Sequence, residues 1–345
     1  MLYIELFKIL NMTRFLFLLA LTLNVSCNTA QNTQSIKKTT EDYAKTITSE
    51  ALKTHLYTFA GDQMEGRMTG ENGNNKAAEY LRNFYIDHGI DAPIDEKNYY
   101  QPIPASYFNG GSKGNPSQNV VAMIKGSEKP EEIIVLSAHY DHVGTENGEI
   151  FNGADDDGSG TVSLIEIANA FQQAKNEGNG PKRSILFLHV TGEEIGLYGS
   201  RYYTENPLFP LANTITNLNV DMIGRIGSEK EGNDNYIYLI GSDKLSQGLH
   251  DLSEAVNKKY VNLELDYTYN DDNDPNRFYY RSDHYNFAKN NIPVIFYFNG
   301  THEDYHQASD TPEKINYELL AKRSKLIFFT AWEIANQEER IKVNP

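Results

Sequence analysis

Six short apolar segments constrain the fold of this chain more than any other feature of its sequence. They are rich in β-branched and aromatic residues, and several lack the polar alternation of a half-exposed strand, which is typical of strands covered on both faces. Segments with helical patterning lie between them. The predicted strands are 120–124, 133–138, 185–190, 215–220, 236–240 and 293–298, and the predicted helices are 41–60, 74–88, 159–175, 245–260, 282–290 and 317–335. This alternation predicts an α/β fold, a three-layer α/β/α sandwich with a mixed, mostly parallel central sheet.

The charge and the cysteine content exclude some partners and some forms of stabilisation. The chain has 31 lysine and arginine residues against 47 aspartate and glutamate residues, a formal net charge of −16. Nucleic-acid binding needs a basic face that neutralises phosphates, so we do not expect nucleic acid as a partner. Cys27 is the only cysteine. An internal disulfide is therefore impossible, and the fold must depend on its core and on any bound metal.

Four of the predicted strands are followed closely by acidic or histidine side chains. Open α/β sheets place their functional sites beyond the carboxyl ends of strands, so we expect these side chains to converge. They are His139 and Asp141, Glu193 and Glu194, Asp221, and, in the loop after the last strand, His306.

Each of these pieces also has an ordinary structural explanation. A His-x-Asp pair is more often part of a polar loop, and Glu193 with Glu194 could form a solvated turn. The segment NGADDDGSG at 152–160 could be only a turn with a helix cap. A cluster of aspartates near a buried sheet edge is nevertheless costly unless cations neutralise it. The combination therefore indicates a metal site more strongly than any of its parts.

The residue types in this set are those that zinc prefers. Zinc takes nitrogen and oxygen ligands at about 2.0–2.2 Å and keeps an open position in catalytic sites. One ligand from each of the five segments gives a set of His, Asp, Glu, Asp and His, which is too many for one tetrahedral catalytic ion. Such a set fits two ions about 3.5–4 Å apart that share one carboxylate. We therefore predict two Zn²⁺ ions as cofactors. His302, in the same loop as His306, is expected to face solvent.

The chain resembles the co-catalytic dizinc aminopeptidases of the bacterial leucyl aminopeptidase type, which are related to glutamate carboxypeptidase and the glutaminyl cyclases. The resemblance covers about residues 61–335 and includes, in the family's order, SAHYDHVG, NGADDDGSG, TGEEIGLYGS, NVDMIGR and YHQASDT. It implies one zinc ion held by His139 and Asp221 and a second held by Glu194 and His306. It further implies that Asp156 bridges the two ions.

The same resemblance implies catalytic roles for other residues. Glu193 is the expected general base, which takes a proton from a water shared by the two ions and passes it to the leaving amine. Tyr305 is expected to stabilise the oxyanion. Asp141 is expected to contact His139 on the side away from the metal, and the segment 282–284 is expected to support the site. The implied reaction is the hydrolysis of N-terminal peptide bonds in peptides with a free N-terminus.

Four other functions are compatible with parts of the sequence. A carboxypeptidase or dipeptidase with the same metal site would need a cation for the substrate carboxylate, and Arg225 and Arg281 are candidates. A glutaminyl cyclase is a weaker alternative because the full dizinc pattern is retained, and a non-catalytic binding protein conflicts with the presence of every catalytic position. A calcium-binding module at 270–274 lacks regular loop spacing, so we expect a surface loop there.

The N-terminal segment predicts export. Residues 14–27 read RFLFLLALTLNVSC, an apolar run too short to span a bilayer but suited to a secretory signal. Its end resembles a bacterial lipoprotein signal, in which Cys27 would be lipidated and attached to a membrane; an ordinary cleaved signal is the alternative. We predict a signal segment at 1–27, a flexible tether at 28–40 and a single zinc peptidase domain at 41–345. The expected location is the periplasm or the outer membrane of a bacterium, as an anchored lipoprotein.

Overall fold

Eight strands form the central sheet of this computed structural model, which describes residues 38–93, 95 and 97–345. The strands of the sheet are β1 Tyr100–Ile103, β2 Ser117–Ile124, β3 Lys129–His139, β6 Arg183–Val190, β7 Thr214–Val220, β8 Tyr236–Ile240, β9 Glu264–Asp266 and β10 Val294–Phe298. A separate hairpin is formed by β4 Gly144–Glu146 and β5 Glu149–Phe151. The helices are α1 Thr40–Ala44, α2 Ser49–Phe59, α3 Asn72–Asp87, α4 Gly160–Asn176, α5 Tyr198–Glu205, α6 Gln247–Tyr260, α7 His284–Ala288 and α8 Tyr317–Asn336.

The sheet is mixed, and its centre is parallel. The strand order is β1-β2-β6-β3-β7-β10-β8-β9. The four central strands β6, β3, β7 and β10 are parallel to their neighbours within this group. The pairs β1–β2, β2–β6 and β8–β10 are antiparallel, and β8 and β9 are parallel. The predicted α/β fold with a mixed, mostly parallel sheet is therefore confirmed. Because the central strands run in one direction, their carboxyl ends meet at one edge of the sheet.

Helices cover both faces of the central strands, which explains their apolar sequences. Ile134 and Leu136 of β3 belong to a core that also contains Phe171 of α4 and side chains of α2, α6 and α8. The alternate β3 residues point to a second core that contains Tyr203 of α5 and Phe287 of α7. Burying each large apolar side chain contributes about 1.5–3 kcal/mol. The two cores hold the carboxyl ends of the central strands in fixed positions.

The structure differs from the predicted elements in a few places. The single helix predicted at 41–60 is two helices, α1 and α2. A new helix begins at Ser49 because the Thr48 hydroxyl accepts a hydrogen bond from the Ala51 amide at 3.1 Å, a cap that contributes about 1 kcal/mol. The short strands β1 and β9 were not predicted. They lie at the two edges of the sheet, where strands bury less apolar surface and carry a weaker pattern.

The structure describes only part of the range over which domain boundaries were predicted. The signal segment at 1–27 and most of the tether at 28–40 lie outside the described residues. Residues 39–345 form a compact unit, and the division at 41 stays a prediction. None of the helices in the described part of the chain is long and apolar enough to cross a bilayer.

Candidate metal centre

The five predicted ligands come together at the carboxyl edge of the central strands. His139 is the last residue of β3, and Asp221 directly follows β7. Glu194 lies in the loop after β6, Asp156 precedes α4, and His306 lies in the loop after β10. Local sequence therefore places each side chain at a strand end, and the parallel register brings the ends together. Whether the residues bind metal stays a prediction.

Asp156 faces two separate groups of predicted ligands with its two carboxylate oxygens. Its Oδ1 lies 3.1 Å from His139 Nε2, which lies 3.6 Å from Asp221 Oδ1. Its Oδ2 lies 3.0 Å from His306 Nε2, which lies 3.1 Å from Glu194 Oε2. Asp156 therefore stands where the shared ligand of two ions would stand.

The donor atoms fit zinc. Tetrahedral ligands at about 2.1 Å from zinc lie about 3.4 Å apart, and the facing donor atoms are 3.0–3.6 Å apart. His139 Nε2 and Glu194 Oε1 are buried and have no hydrogen-bond partner among the described residues. A buried polar atom without a partner is costly, and a cation would remove that cost. Two divalent ions would also neutralise the four carboxylates of Asp156, Glu193, Glu194 and Asp221.

His139 is oriented by the backbone of Asp141. The His139 Nδ1–H donates to the Asp141 carbonyl oxygen at 3.1 Å, while the nearest Asp141 carboxylate oxygen is 3.8 Å away. This hydrogen bond fixes the tautomer and leaves the Nε2 lone pair facing the cluster. The Asp141 carboxylate instead accepts hydrogen bonds from Thr69 Oγ1 at 2.8 Å and from the Glu193 amide at 3.2 Å. Asp141 thus positions the backbone of Glu193 as well as His139.

The three adjacent aspartates have different partners. Asp155 Oδ1 accepts a hydrogen bond from the Gly224 amide at 2.7 Å, and Asp157 Oδ1 accepts one from the Met222 amide at 3.1 Å. Both contacts tie the start of α4 to the segment after β7. Of the three, only Asp156 presents its carboxylate to the other predicted ligands, and its role as a shared ligand stays a prediction.

The expectation that His302 faces solvent is wrong. His302 is only 6% exposed, and its Nε2 lies 3.1 Å from Asp155 Oδ2. Its burial follows from the path of the loop after β10, which folds over the aspartate segment. His302 therefore belongs to the support beneath the site.

Glu193 lies in an environment that favours proton uptake. Burial raises the pKa of the Glu193 carboxyl well above its ordinary value, and the neighbouring carboxylates Glu194 and Asp221 raise it further. His139 acts in the opposite direction. A general base works best with a pKa near the working pH, so a bound cation that partly offsets this rise would suit that role.

Tyr305 is placed to donate a hydrogen bond beside the cluster. Its ring stacks on His306 with centroids 3.9 Å apart, and its hydroxyl lies 3.4 Å from Arg281 Nη2. Burial, with Asp156 next, raises the pKa of the Tyr305 hydroxyl. The hydroxyl therefore keeps its proton at neutral pH and can serve as a donor.

A cavity with one apolar wall opens beside the cluster. Its lining includes the cluster residues Asp156, Glu193, Asp221, Tyr305 and His306, and its walls include Met222, Phe278, Phe296 and Phe298. Arg281 also lines the cavity and has no carboxylate within salt-bridge distance among the described residues. Arg225 is already paired, because its Nη2 lies 3.0 Å from Asp304 Oδ2. Of the two arginines considered for substrate binding, only Arg281 is available.

Ser282 supports the cluster from the segment that precedes α7. Its hydroxyl donates to Asp221 Oδ2 at 2.6 Å and accepts from Asn219 Nδ2 at 2.8 Å. These contacts fix the orientation of the Asp221 carboxylate. The placement agrees with the supporting role expected for segment 282–284.

The loop at 270–274 has the internal contacts of an ordinary turn. Asp274 accepts hydrogen bonds from the amides of Asn276 and Phe278, and Asp271 accepts one from the Asn273 amide. None of its carboxylates joins the possible metal clusters of the described residues. Residues 271–273 are exposed, so the segment lies at the surface as expected.

Sequence reasoning missed Arg67, which joins the two loops that carry the cluster. Arg67 is fully buried. Its guanidinium donates to the carbonyl oxygens of Phe59, Tyr140, Asn152 and Gly153 at 2.6–3.1 Å. One side chain thus holds the segment after β3 against the segment before Asp156. Its residue type alone carries no signal for this role, because all its acceptors are backbone atoms.

Replacing Arg67 with Met is expected to lower the free energy of unfolding by at least about 3 kcal/mol, because buried carbonyls lose hydrogen bonds to a charged donor. Urea unfolding followed by circular dichroism measures the change. Arg82→Met, at a partly exposed position of α3, is the control and should shift stability by less than about 0.5 kcal/mol. Equal midpoints for the two variants would show that Arg67 does not hold these loops.

Sequence reasoning also missed His142, which lies three residues after His139. His142 is 1% exposed, and its Nδ1 lies 2.7 Å from Glu194 Oε1. It forms a possible metal cluster with Asp156 and Glu194. The available signal was its place in the same strand-end motif, HYDH, as His139.

Comparisons with known proteins agree with this geometry. A model of peptidase family M28 matches residues 119–331. A probable zinc metalloprotease of Pyricularia oryzae is 27% identical over 308 residues, which cover 77% of this chain and 58% of that protein. A probable leucine aminopeptidase 2 of Aspergillus oryzae is 30% identical over 258 residues, or 67% of this chain and 47% of that protein. The chain thus spans about half the length of these curated relatives.

Solved structures show the same fold. The LapA aminopeptidase of Legionella pneumophila superposes with a TM-score of 0.66 at 22% identity, over 87% of this chain and 75% of that one. The likeness confirms the three-layer architecture.

The predicted localisation is wrong. We expected a periplasmic or outer-membrane-anchored lipoprotein of a bacterium. The curated relatives are instead fungal proteins, and they include a vacuolar membrane protease of Verticillium alfalfae that is 40% identical over 85 residues. An apolar run before a single cysteine is too common a pattern to identify a bacterial lipoprotein signal.

The family match covers more than half of the chain, and it lies over the strands and loops that carry the candidate ligands. It confirms the predicted family and the predicted class of enzyme, a zinc-dependent hydrolase. The chain belongs to peptidase family M28.

Proposed function

We propose that this chain is a two-zinc aminopeptidase that hydrolyses N-terminal peptide bonds of peptides with a free amine. The observation that carries the proposal is the position of Asp156, whose two oxygens face two separate histidine and carboxylate groups. One group would contain His139 and Asp221, and the other Glu194 and His306. The names of the relatives, a leucine aminopeptidase among them, support cleavage at the amino end.

Different residues of the chain carry out the separate steps of hydrolysis. Bound zinc would acidify a water and polarise the scissile carbonyl. Glu193, held by its amide contact with Asp141, takes a proton from the attacking water and delivers it to the leaving nitrogen. Tyr305 donates a hydrogen bond to the oxygen on which negative charge develops. The apolar wall formed by Met222, Phe278 and Phe298 receives the first side chain of the substrate.

A dipeptidase or carboxypeptidase with the same metal site is the second candidate. One observation favours it: Arg281 lines the cavity without a carboxylate partner among the described residues. A guanidinium in that position can bind a substrate carboxylate. The two candidates differ in which end of the peptide they require, so substrate chemistry separates them.

The test compares four versions of one leucine-initiated peptide, with a free or acetylated amino end and a free or amidated carboxyl end. Acetylation is expected to lower kcat/KM by at least about 100-fold, because the groups that bind the free amine lose their partner. Amidation should leave kcat/KM within a few fold. A loss on amidation instead would support the dipeptidase or carboxypeptidase.

The metal content of the purified protein tests the rest of the proposal. Elemental analysis should find two zinc ions per chain after zinc loading and removal of excess metal. A value near zero in folded protein would contradict the two-zinc mechanism.

A further inference from the structure

His142 is a buried histidine without a structural explanation. It is 1% exposed, and neither ring nitrogen has a hydrogen-bond partner among the described residues. Its Nδ1 nevertheless lies 2.7 Å from Glu194 Oε1, so that short contact lacks the geometry of a hydrogen bond. His139 Nε2, an expected ligand, has the same combination of a close carboxylate at 3.1 Å and no hydrogen bond. The two histidines therefore have the same surroundings, which are those expected of metal ligands.

The position of His142 completes a four-sided set of donor atoms. His306 Nε2 lies 3.0 Å from Asp156 Oδ2 and 3.1 Å from Glu194 Oε2. On the other side, His142 Nδ1 lies 3.9 Å from Asp156 Oδ2 and 2.7 Å from Glu194 Oε1. These separations bracket the distance of about 3.4 Å between tetrahedral zinc ligands. Three of these residues were expected ligands, and His142 is the fourth.

The ring of His142 is held in place by its surroundings. A Cβ on Gly153 would lie 2.4 Å from His142 Cγ, so the imidazole packs directly on the Gly153 backbone. Gly153 also has a positive φ of 53°, a conformation that glycine adopts at little cost. The segment that leads to Asp156 therefore leaves space for the His142 ring and restricts its movement. Such preorganisation is typical of a metal ligand.

We infer that His142 is a fourth protein ligand, through Nδ1, of the ion that Glu194, His306 and Asp156 would hold. This inference rests on the proposed two-zinc function. It makes the two metal positions unequal, because the position of His139 and Asp221 has three protein ligands. Four protein ligands close a zinc site, whereas three leave a position open for water or substrate. The open position would lie on the side of His139, where Glu193 also approaches.

The test measures zinc affinity by competition with a chromophoric chelator, for the wild-type chain and for variants at His142. His142→Ala is expected to weaken one of the two zinc ions by more than about 100-fold, beyond the effect typical of residues outside the coordination sphere. The other zinc should keep its affinity. His142→Cys, which supplies a thiolate ligand, should restore much of the lost affinity.

His142→Asn separates coordination from hydrogen bonding. Its amide can donate to Glu194 from about the place of Nδ1 but is a poor zinc ligand, so it should behave like His142→Ala. His189→Asn is the matched control, because His189 is a buried histidine that bonds to Tyr85 Oη and joins no metal cluster of the described residues. It should keep both ions at wild-type affinity.

Two results would overturn the inference: wild-type affinity for both ions in His142→Ala, or wild-type affinity in His142→Asn alone, which would make His142 a donor to Glu194. Circular dichroism of each variant confirms that the fold is intact before the titration. Failure of the proposed function gives a different result, since the wild-type chain itself would then bind fewer than two zinc ions.

Discussion

Replacing Glu193 with Gln is expected to lower kcat by about 100- to 10,000-fold while the zinc content stays the same. Glutamine preserves the size of the side chain, and the amide contact of residue 193 with Asp141 involves only the backbone. The carboxamide cannot accept the proton of the attacking water. Steady-state kinetics with a leucine-initiated peptide, together with elemental analysis, measures both quantities on the same sample.

The neighbouring residue provides the matched control. Glu194→Gln makes the same chemical change one position along the chain, but Glu194 faces His306 at 3.1 Å as a predicted ligand. It is expected to lose zinc as well as activity. Normal turnover in Glu193→Gln, or equal loss of zinc in both variants, would contradict the division of roles between the two glutamates.

The sequence predicts the centre of the sheet well because the central strands are buried on both faces. A strand such as β3 must be apolar on every residue that enters a core, and that requirement is visible without a structure. The edge strands β1 and β9 bury less and carry no such constraint. The break between α1 and α2 depends on the hydroxyl of Thr48, a local contact that helical periodicity does not record.

The predicted ligands were accessible from the sequence because each lies next to a recognisable element. His139 and Asp221 follow apolar strands, and Asp156 precedes a helix. The position of Asp156 between the two groups of predicted ligands also depends on its neighbours, since Asp155 and Asp157 accept hydrogen bonds from backbone amides that follow β7. Such pairings depend on contacts between distant segments, which the resemblance supplied and local pattern could not.

The missed residues act through contacts that residue type does not reveal. The hydrogen bonds of Arg67 all go to backbone carbonyl oxygens, which every residue carries. The sequence therefore does not indicate which of its arginines makes such contacts. His142 lies in the loop after β3, and Glu194, which it faces, lies in the loop after β6. His302 was assigned to solvent because nothing local indicates that its loop folds over Asp155. In each case tertiary packing determines the role.

Removing bound metal is expected to lower Tm on the order of 10 °C at pH 8, and by less at pH 5. Even one ion that binds only the folded state at about 1,000 times its Kd stabilises it by about 4 kcal/mol, and each kcal/mol moves Tm by about 2–4 °C in a chain of this size class. Differential scanning calorimetry with and without a chelator measures the difference. Re-addition of zinc should restore the original Tm.

The pH dependence follows from the buried groups that remain when metal is absent. Burial raises the pKa of Asp283 to about 7, and burial with the Asp155 charge raises that of Asp310 to about 6. Their ordinary value is about 3.9, so the folded state keeps protons that the unfolded chain has released, and this stabilisation is lost as pH rises from about 4 through 7. Burial lowers the pKa of His306, but hydrogen bonds to Asp156 and Glu194 raise it to about 10.

The His306 contribution has the same sign as that of the two aspartates. Its stabilisation is complete below the unfolded pKa of about 6.5 and is lost as pH rises toward 10. Metal binding requires deprotonated ligands and so strengthens over the same range. The metal-free chain should therefore lose stability from pH 5 to pH 8 while the metal-bound chain gains relative to it, and the gap in Tm should widen. A gap in Tm that narrows with rising pH would contradict both the role of His306 as a metal ligand and the contributions of Asp283 and Asp310 to the stability of the metal-free chain.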